Sequence, residues 1–130
     1  MNRVIEILNG KQIHPGSTIF SSENRAFRFG DGLFETIKIR RGKAVFIRDH
    51  IDRLSNGMEL LKIEEPIDGF FDYLKILISD TIEQEKIISG RIRLSVYRDS
   101  PGFYTPLDPY CGWHMVFHTN DDHDYITSDS

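Results

Sequence analysis

The sequence predicts an α+β fold, a two-layer small domain in which an antiparallel sheet built from hairpins carries two helices on one face. Two strand-and-turn patterns come first, two helical patterns follow, and two further strand patterns end the series. Because the hairpins and the helices are segregated along the chain, we expect both helices to cover the same side of one sheet.

The first hairpin is indicated by its turn. Residues 4–8 are apolar apart from Glu6, and Asn9-Gly10 separates them from Lys11-Gln12-Ile13. Asn-Gly between two short runs is a strong hairpin signal, because a type I′ turn requires positive φ at both central residues.

A second hairpin is predicted between residues 33 and 47. Residues 33–40 alternate in the way that a strand does, and residues 41–43 form a turn. Residues 44–47 are expected to return as the partner strand. One side of the first strand is formed by Leu33, Glu35, Ile37 and Ile39.

The period of the pattern then changes to that of two helices. Asp49 is the expected N-cap of the first helix, and Gly57 weakens this helix by about 1 kcal/mol relative to Ala. The second helix is expected to span about Asp68 to Gln84. Apolar residues recur on one face of each helix, at Ile51, Leu54, Met58 and Leu61 in the first and at Phe70, Phe71, Leu74, Leu77, Ile78 and Ile82 in the second.

Two strands and a polar tail follow the helices. Residues 91–97 alternate between an apolar side and a side that carries Arg91, Arg93 and Tyr97. A loop from Asp99 to Pro109 leads to a last strand at 113–117. We therefore expect a domain at residues 1–118 and the start of an interdomain linker at 119–130, which is polar and acidic.

Composition restricts the kinds of partner. The chain has 130 residues, a formal charge of −4 and no long basic run, so nothing in it supports nucleic-acid binding. A single cysteine, Cys111, excludes an internal disulfide framework and fits a reduced cytoplasmic setting. No apolar stretch has the length that a membrane span requires.

Arginines are the first candidates for chemistry. Arg53, at the edge of a helix face, has the paired donors that clamp a phosphate, although a surface arginine paired with Asp49 or Asp52 is the more common arrangement. The strand face with Arg91 and Arg93 either meets water or receives an anion.

A metal site is a weaker hypothesis. His114, His118 and His123 lie near one another in sequence, but they match no zinc spacing. Cys111 lacks the context of a nucleophile, and a small buried residue is the expected role.

Four segments, taken in order, carry a resemblance to a known family. They are Arg25-x-Phe27-x-Phe29-Gly30-Asp31-Gly32-Leu33-Phe34-Glu35-Thr36, Gly42-Lys43, His50-Ile51-Asp52-Arg53-Leu54 and Arg91-Ile92-Arg93-Leu94-Ser95-Val96-Tyr97-Arg98. Together they resemble the N-terminal domain of class-IV (fold type IV) pyridoxal-phosphate-dependent aminotransferases. That family includes branched-chain aminotransferases, D-amino-acid aminotransferases and aminodeoxychorismate lyase.

The resemblance implies a two-domain enzyme of roughly twice this length, usually a homodimer, with pyridoxal 5′-phosphate between the domains. The Schiff-base lysine comes from the C-terminal domain in that family, and none of the lysines here occupies its position. It is expected beyond Ser130, so the chain by itself should be inactive. Without that lysine the cofactor lacks its covalent anchor and the reaction lacks its base.

Site residues also follow from the resemblance. Arg53 matches the arginine that binds the cofactor phosphate, and Phe34 matches a position on the substrate side that is Tyr in D-amino-acid aminotransferases. The strand holding Arg93 and the loop from Arg98 to Tyr104 are expected to help receive the substrate carboxylate.

The resemblance leaves the reaction open between branched-chain-like transamination and aminodeoxychorismate lysis, both through a cofactor aldimine. Residues 100–104 read Ser-Pro-Gly-Phe-Tyr, without the Arg-x-His pair of D-amino-acid aminotransferases, which argues against D-amino-acid specificity. The alternative is a stand-alone, non-catalytic binding or interaction module derived from the same domain.

Overall fold

A computed structural model describes residues 2–15, 32–98 and 111–120, which form one antiparallel sheet and two helices. The elements in chain order are β1 (Val4–Leu8), β2 (Lys11–Ile13), β3 (Gly32–Arg40), β4 (Lys43–Ala44), α1 (Ile47–Leu61), α2 (Phe70–Gln84), β5 (Gly90–Arg98) and β6 (Cys111–Thr119). The six strands lie in the order β2-β1-β6-β5-β3-β4, and each neighbouring pair is antiparallel. The predicted α+β fold is confirmed.

The first hairpin forms as its turn predicts. Asn9 and Gly10 both have positive φ, 50° and 89°, which is the requirement of a type I′ turn. Asn9 also joins this hairpin to β6, because its backbone N–H donates to the Trp113 carbonyl and its side-chain oxygen accepts from the Trp113 N–H, both at 2.8 Å. One residue therefore sets the turn and fixes it to the neighbouring strand.

The second hairpin is shorter than predicted. Its return strand ends at Ala44, so the expected strand over residues 44–47 was wrong beyond that residue. After Val45 donates its N–H to Lys38, Phe46 takes a left-handed conformation with φ 57°, and α1 begins at Ile47. Phe46 rather than Asp49 is the N-cap. Asp49 lies in the first turn, where a carboxylate interacts favourably with the helix dipole.

Both helices end in the same way. A lysine in the left-handed region follows each helix end, Lys62 with φ 59° and Lys86 with φ 55°. The residue after each lysine donates its N–H to the carbonyl oxygen of the residue five positions earlier in the chain. That next residue is a buried isoleucine, Ile63 or Ile87. These hydrogen bonds form a Schellman motif, which satisfies carbonyls at the helix end and turns the chain back into the core.

The core lies between the two helices and one face of the sheet. Alternate residues of β5 and β6 meet apolar residues of α1 and α2 there. Gly57 of α1 sits against Leu33, whose Cδ1 would be 2.8 Å from an added β-carbon. The glycine that weakens the helix therefore lets β3 approach α1 closely. The fully buried members of this core include Ile37, Ile92, Leu94, Met58, Leu74, Ile78, Met115 and Phe117.

The second sheet face, which we call the open face, carries the polar alternates of the strands. Phe34, Lys38, Arg91 and Arg93 are exposed on it. Tyr97, at an alternate position of β5 like the two arginines, is buried. Its cross-strand partner is Gly112, and its ring occupies the space that a β-carbon at Gly112 would need. Neither helix among the described residues is long and apolar enough to span a membrane.

Gly90, the first residue of the interior strand β5, provides a test of how tightly neighbouring strands are packed. Its φ is 156°, and an added β-carbon would overlap the backbone carbonyl oxygen of His118, which has no freedom to rotate away. We expect Gly90→Ala to destabilise the chain by about 2 kcal/mol or more, measured by denaturant unfolding. Gly69→Ala is the matched control, because Gly69 also has positive φ but nothing lies within 4 Å of its added β-carbon. That control should lose only about 1 kcal/mol, and equal losses at the two sites would contradict the steric explanation.

Candidate functional site

A charged cluster joins β3 to α1. Glu35 lies on the helix side of β3, in the same alternating set as the apolar Leu33, Ile37 and Ile39, and only 15% of its side chain is exposed. His50 and Arg53 are three residues apart on α1, so their side chains lie on the same side of the helix. The cluster consists of these three residues, Glu35, His50 and Arg53.

Short hydrogen bonds hold the cluster together. His50 Nδ1 lies 2.6 Å from Glu35 Oε1. Arg53 donates from Nε to both carboxylate oxygens at 3.3 Å, and from Nη2 to Oε1 at 3.0 Å. An ionised carboxylate is only an acceptor, so the His50 Nδ1 atom must carry the proton. The 3.1 Å approach of Arg53 Nη2 to that same nitrogen is then a contact between two donors.

The cluster stabilises its own charges. Burial is the largest influence on the pKa of Glu35 and raises it, but hydrogen bonds and charge from Arg53 and His50 outweigh burial and leave this pKa below its ordinary value of 4.5. The same Glu35 hydrogen bond raises the pKa of Arg53. Both groups are therefore ionised at neutral pH.

Arg53 keeps donors for another group. A guanidinium has five N–H bonds, and Glu35 accepts the one of Nε and one of the two of Nη2. Within residues 2–15, 32–98 and 111–120, Nη1 has no hydrogen-bond partner, and 60% of the side chain is exposed. The expected ion pairs with Asp49 or Asp52 do not form; Asp49 acts on Arg53 only through its charge. Nη1 therefore offers two N–H bonds to an anion such as a phosphate.

A second group of predicted residues lies on the open face. Phe34 is 55% exposed, and the guanidinium carbon of Arg93 lies 4.0 Å from the centre of its ring. The two are brought together across β3 and β5, since Phe34 pairs with Ser95 and Arg93 pairs with Thr36. This contact is a cation–π interaction that presents an apolar ring beside a positive charge.

The two groups are on opposite sides of the sheet. Phe34 and Glu35 are consecutive in β3, so the first faces the open side and the second faces α1. The structure thus brings Phe34 together with Arg93, and Arg53 together with Glu35, but it does not bring these pairs onto one face. Tyr104, the remaining predicted site residue, lies outside the described residues.

Glu35 and His50 were not singled out from the sequence, although a signal for the first was present. Glu35 is the one charged residue in an otherwise apolar alternating set of β3. A carboxylate at a position that faces the core requires a partner. His50 and Arg53, at helical spacing, are that partner pair, but only the packing of α1 on β3 reveals it.

The remaining candidates from the sequence are placed as follows. His114 Nε2 lies 2.9 Å from Glu6 Oε2, so this histidine pairs with a carboxylate. Burial, and then the charge of Arg91, lowers the pKa of His118. No group of three or more metal-ligating side chains occurs in the described ranges, and His123 lies outside them.

Arg98 is buried and donates from Nη2 to the Leu61 carbonyl at 2.6 Å, which ties β5 to the end of α1. Cys111 is partly buried against the core.

Comparisons with known proteins all point to the same protein family. The family model of amino-transferase class IV matches residues 32–125. The chain is 32% identical over 63 residues to a bifunctional aminodeoxychorismate lyase / D-amino acid transaminase of Mycobacterium tuberculosis, covering 48% of this chain and 22% of that protein. It is 27% identical over 92 residues to a D-alanine aminotransferase of Listeria innocua, covering 71% of this chain and 31% of that protein.

The fold has solved counterparts. A T.th. branched-chain amino acid aminotransferase with pyridoxamine 5′-phosphate superposes with a TM-score of 0.73 at 19% identity, over 88% of this chain and 39% of that one. At this identity the likeness shows the fold alone. The chain spans less than half the length of each of these relatives.

The charged cluster makes the free energy of unfolding depend on pH in the acidic range. Because the pKa of Glu35 is lower in the folded chain, its stabilising effect is present above its ordinary value of 4.5 and is lost as the pH falls through the folded value. Between about pH 7 and about pH 3 we expect the free energy of unfolding to fall more for the unmodified chain than for Glu35→Gln. Glu59→Gln, an exposed carboxylate on α1, is the charge-matched control and should follow the unmodified chain. Identical pH profiles for all three proteins would contradict the assigned role of Glu35.

Proposed function

Because this chain belongs to the amino-transferase class IV family, we propose that it is the N-terminal part of a pyridoxal-phosphate-dependent enzyme in which Arg53 binds the cofactor phosphate. The supporting observation is the arrangement of the Arg53 guanidinium, which Glu35 holds on one edge while Nη1 remains available. A phosphate oxygen accepts well from such donors. The pyridoxamine 5′-phosphate in a solved structure of similar fold supports this choice of cofactor.

In this proposal the chain binds and orients, and the reacting groups lie elsewhere. Pyridoxal 5′-phosphate supplies an electron sink for bond changes at the amino acid α-carbon. Arg53 fixes its phosphate end, and Glu35 and His50 hold Arg53. The Schiff-base lysine belongs to a C-terminal domain beyond Ser130, joined to a small domain at residues 1–118 through a linker that starts at 119–130. The complete enzyme is proposed to be a cytoplasmic homodimer.

Two residues on the open face support the proposal that the substrate has an apolar side chain and a carboxylate. Phe34 offers an exposed ring, and Arg93 places a positive charge 4.0 Å from its centre. This pairing favours branched-chain-like transamination, and aminodeoxychorismate lysis is the second candidate because a relative carries that name. D-Alanine, named for another relative, belongs in the assay as well. Exclusion of D-amino acids depends on residues 100–104, which lie outside the described residues, so it stays a prediction.

Arg53→Ala tests the cofactor role. In the complete protein, as its source cell makes it, we expect the substitution to weaken pyridoxal phosphate binding about 10- to 100-fold, since charged hydrogen bonds to the phosphate are lost. Binding of pyridoxal, which lacks the phosphate, should stay unchanged. Arg48→Ala is the matched control, because Arg48 is an exposed arginine on the same helix. Unchanged affinity for pyridoxal phosphate in Arg53→Ala would remove the assigned role.

A second prediction concerns the chain by itself. With pyridoxal phosphate and an amino acid, residues 1–130 should show no useful transamination, because the proposed lysine is not among them. The complete protein should be active, with a mass near twice 15.1 kDa. Turnover by the chain alone would contradict the proposal. A cellular protein of 15.1 kDa without turnover would favour the non-catalytic module instead.

A further inference from the structure

We infer that Glu35 is a positioning residue for Arg53: its carboxylate fixes the plane of the guanidinium, so that the Nη1 edge is presented to an incoming anion. The identity of that anion as a cofactor phosphate rests on the proposed function. The hold of Glu35 on Arg53 depends only on the geometry of the cluster.

Arg53 would otherwise be a mobile side chain. It is 60% exposed, and an arginine has several rotatable bonds whose freedom is lost when the guanidinium binds a ligand. Glu35 removes much of that freedom in advance, because its carboxylate engages both Nε and Nη2. A donor group that is already oriented binds its ligand with a smaller loss of entropy. The contact therefore prepares the arginine for binding.

Glu35 is itself well placed to act as a fixed point. It extends from β3, a paired strand, and its side chain is only 15% exposed. His50 also contacts the carboxylate, through a 2.6 Å hydrogen bond to Oε1. The titratable groups that face Glu35 are His50 and Arg53 on α1, and Asp49 acts on Arg53 through its charge. Its cross-strand partner on β5 is Leu94, which carries no charge.

A purely electrostatic role for Glu35 predicts the opposite effect on binding. A carboxylate next to an anion site repels the anion, so its removal would strengthen binding if charge alone mattered. If orientation matters more, its removal weakens binding even though a repulsive charge has gone. The sign of the change therefore separates the two roles.

The hold on Arg53 can be measured directly in the 130-residue chain by nitrogen NMR of arginine side chains. We expect the Nε–H signal of Arg53, assigned by its loss in Arg53→Ala, to be shifted and slow to exchange with water. It should revert to the average of exposed arginines in Glu35→Gln and on acidification of the unmodified chain. Asp52→Asn is the control, because it removes an exposed negative charge next to Arg53 without touching the contact. An Arg53 signal that persists in Glu35→Gln would overturn the inference.

The consequence for binding is measured in the complete protein with pyridoxal phosphate and pyridoxal as probes. Glu35→Gln should bind pyridoxal phosphate about tenfold more weakly and pyridoxal unchanged. Glu35→Asp, which keeps the charge but shortens the reach, should also weaken binding of the phosphate form, and Asp52→Asn should not. Tighter or unchanged phosphate binding in Glu35→Gln would overturn the positioning role.

The two proposals fail in different ways. If the unmodified complete protein binds pyridoxal as tightly as its phosphate, the proposed cofactor role of Arg53 is wrong, whatever the variants do. The arginine NMR signal in the short chain still decides whether Glu35 holds Arg53. If the unmodified protein prefers the phosphate form and both Glu35 variants keep that preference, the positioning role alone is wrong.

Discussion

Neighbouring residues of a β-strand project to opposite faces of the sheet, and in β3 this separates Phe34 from Glu35. Glu35 faces α1, where His50 and Arg53 receive its carboxylate. Phe34 faces the open side, where Arg93 lies against its ring. Both halves of the candidate site depend on this alternation, because a shift of one residue in register would exchange them and would move Ile37 and Ile39 out of the core.

The register of β3 is protected by several independent contacts. Eight residue pairs align β3 with β5, from Gly32 opposite Tyr97 to Ile39 opposite Gly90. On the helix side, Leu33 fills the space beside Gly57, and a larger residue at position 57 would displace it. The core that stabilises the domain and the contact that places Glu35 therefore rest on the same packing of α1 against β3.

Burial and function are linked in the charged cluster. A carboxylate in an apolar alternating set is unfavourable by itself, and the hydrogen bonds from His50 and Arg53 offset that effect. This pairing uses one edge of the arginine and leaves the other edge exposed. Arg53 thus pairs with the Glu35 carboxylate through one edge, and the other, exposed edge is the one that we propose binds a phosphate.

Local features of the fold follow from the sequence alone. Asn9-Gly10 determines its own turn because few residues tolerate positive φ at two successive positions, and the alternation of β3 and β5 determines which residues share a face. The family is likewise carried by ordered motifs and does not require a structure. The apolar stripes of α1 and α2 similarly identify residues that become buried or, at Leu61, Phe71 and Leu77, partly buried.

Tertiary packing determined the features that depend on contacts between elements distant in sequence. Phe46 ends β4 early by a left-handed turn, and the ring of Tyr97 lies over Gly112 on the opposite strand. Arg53 pairs with Glu35, 18 residues away in sequence, rather than with the nearby Asp49 or Asp52. A sequence fixes the spacing of charges along one helix, but the partner that a long side chain reaches is set by which strand packs against that helix. For that reason Arg53 was identified from sequence, and Glu35, which holds it, was identified only from the fold.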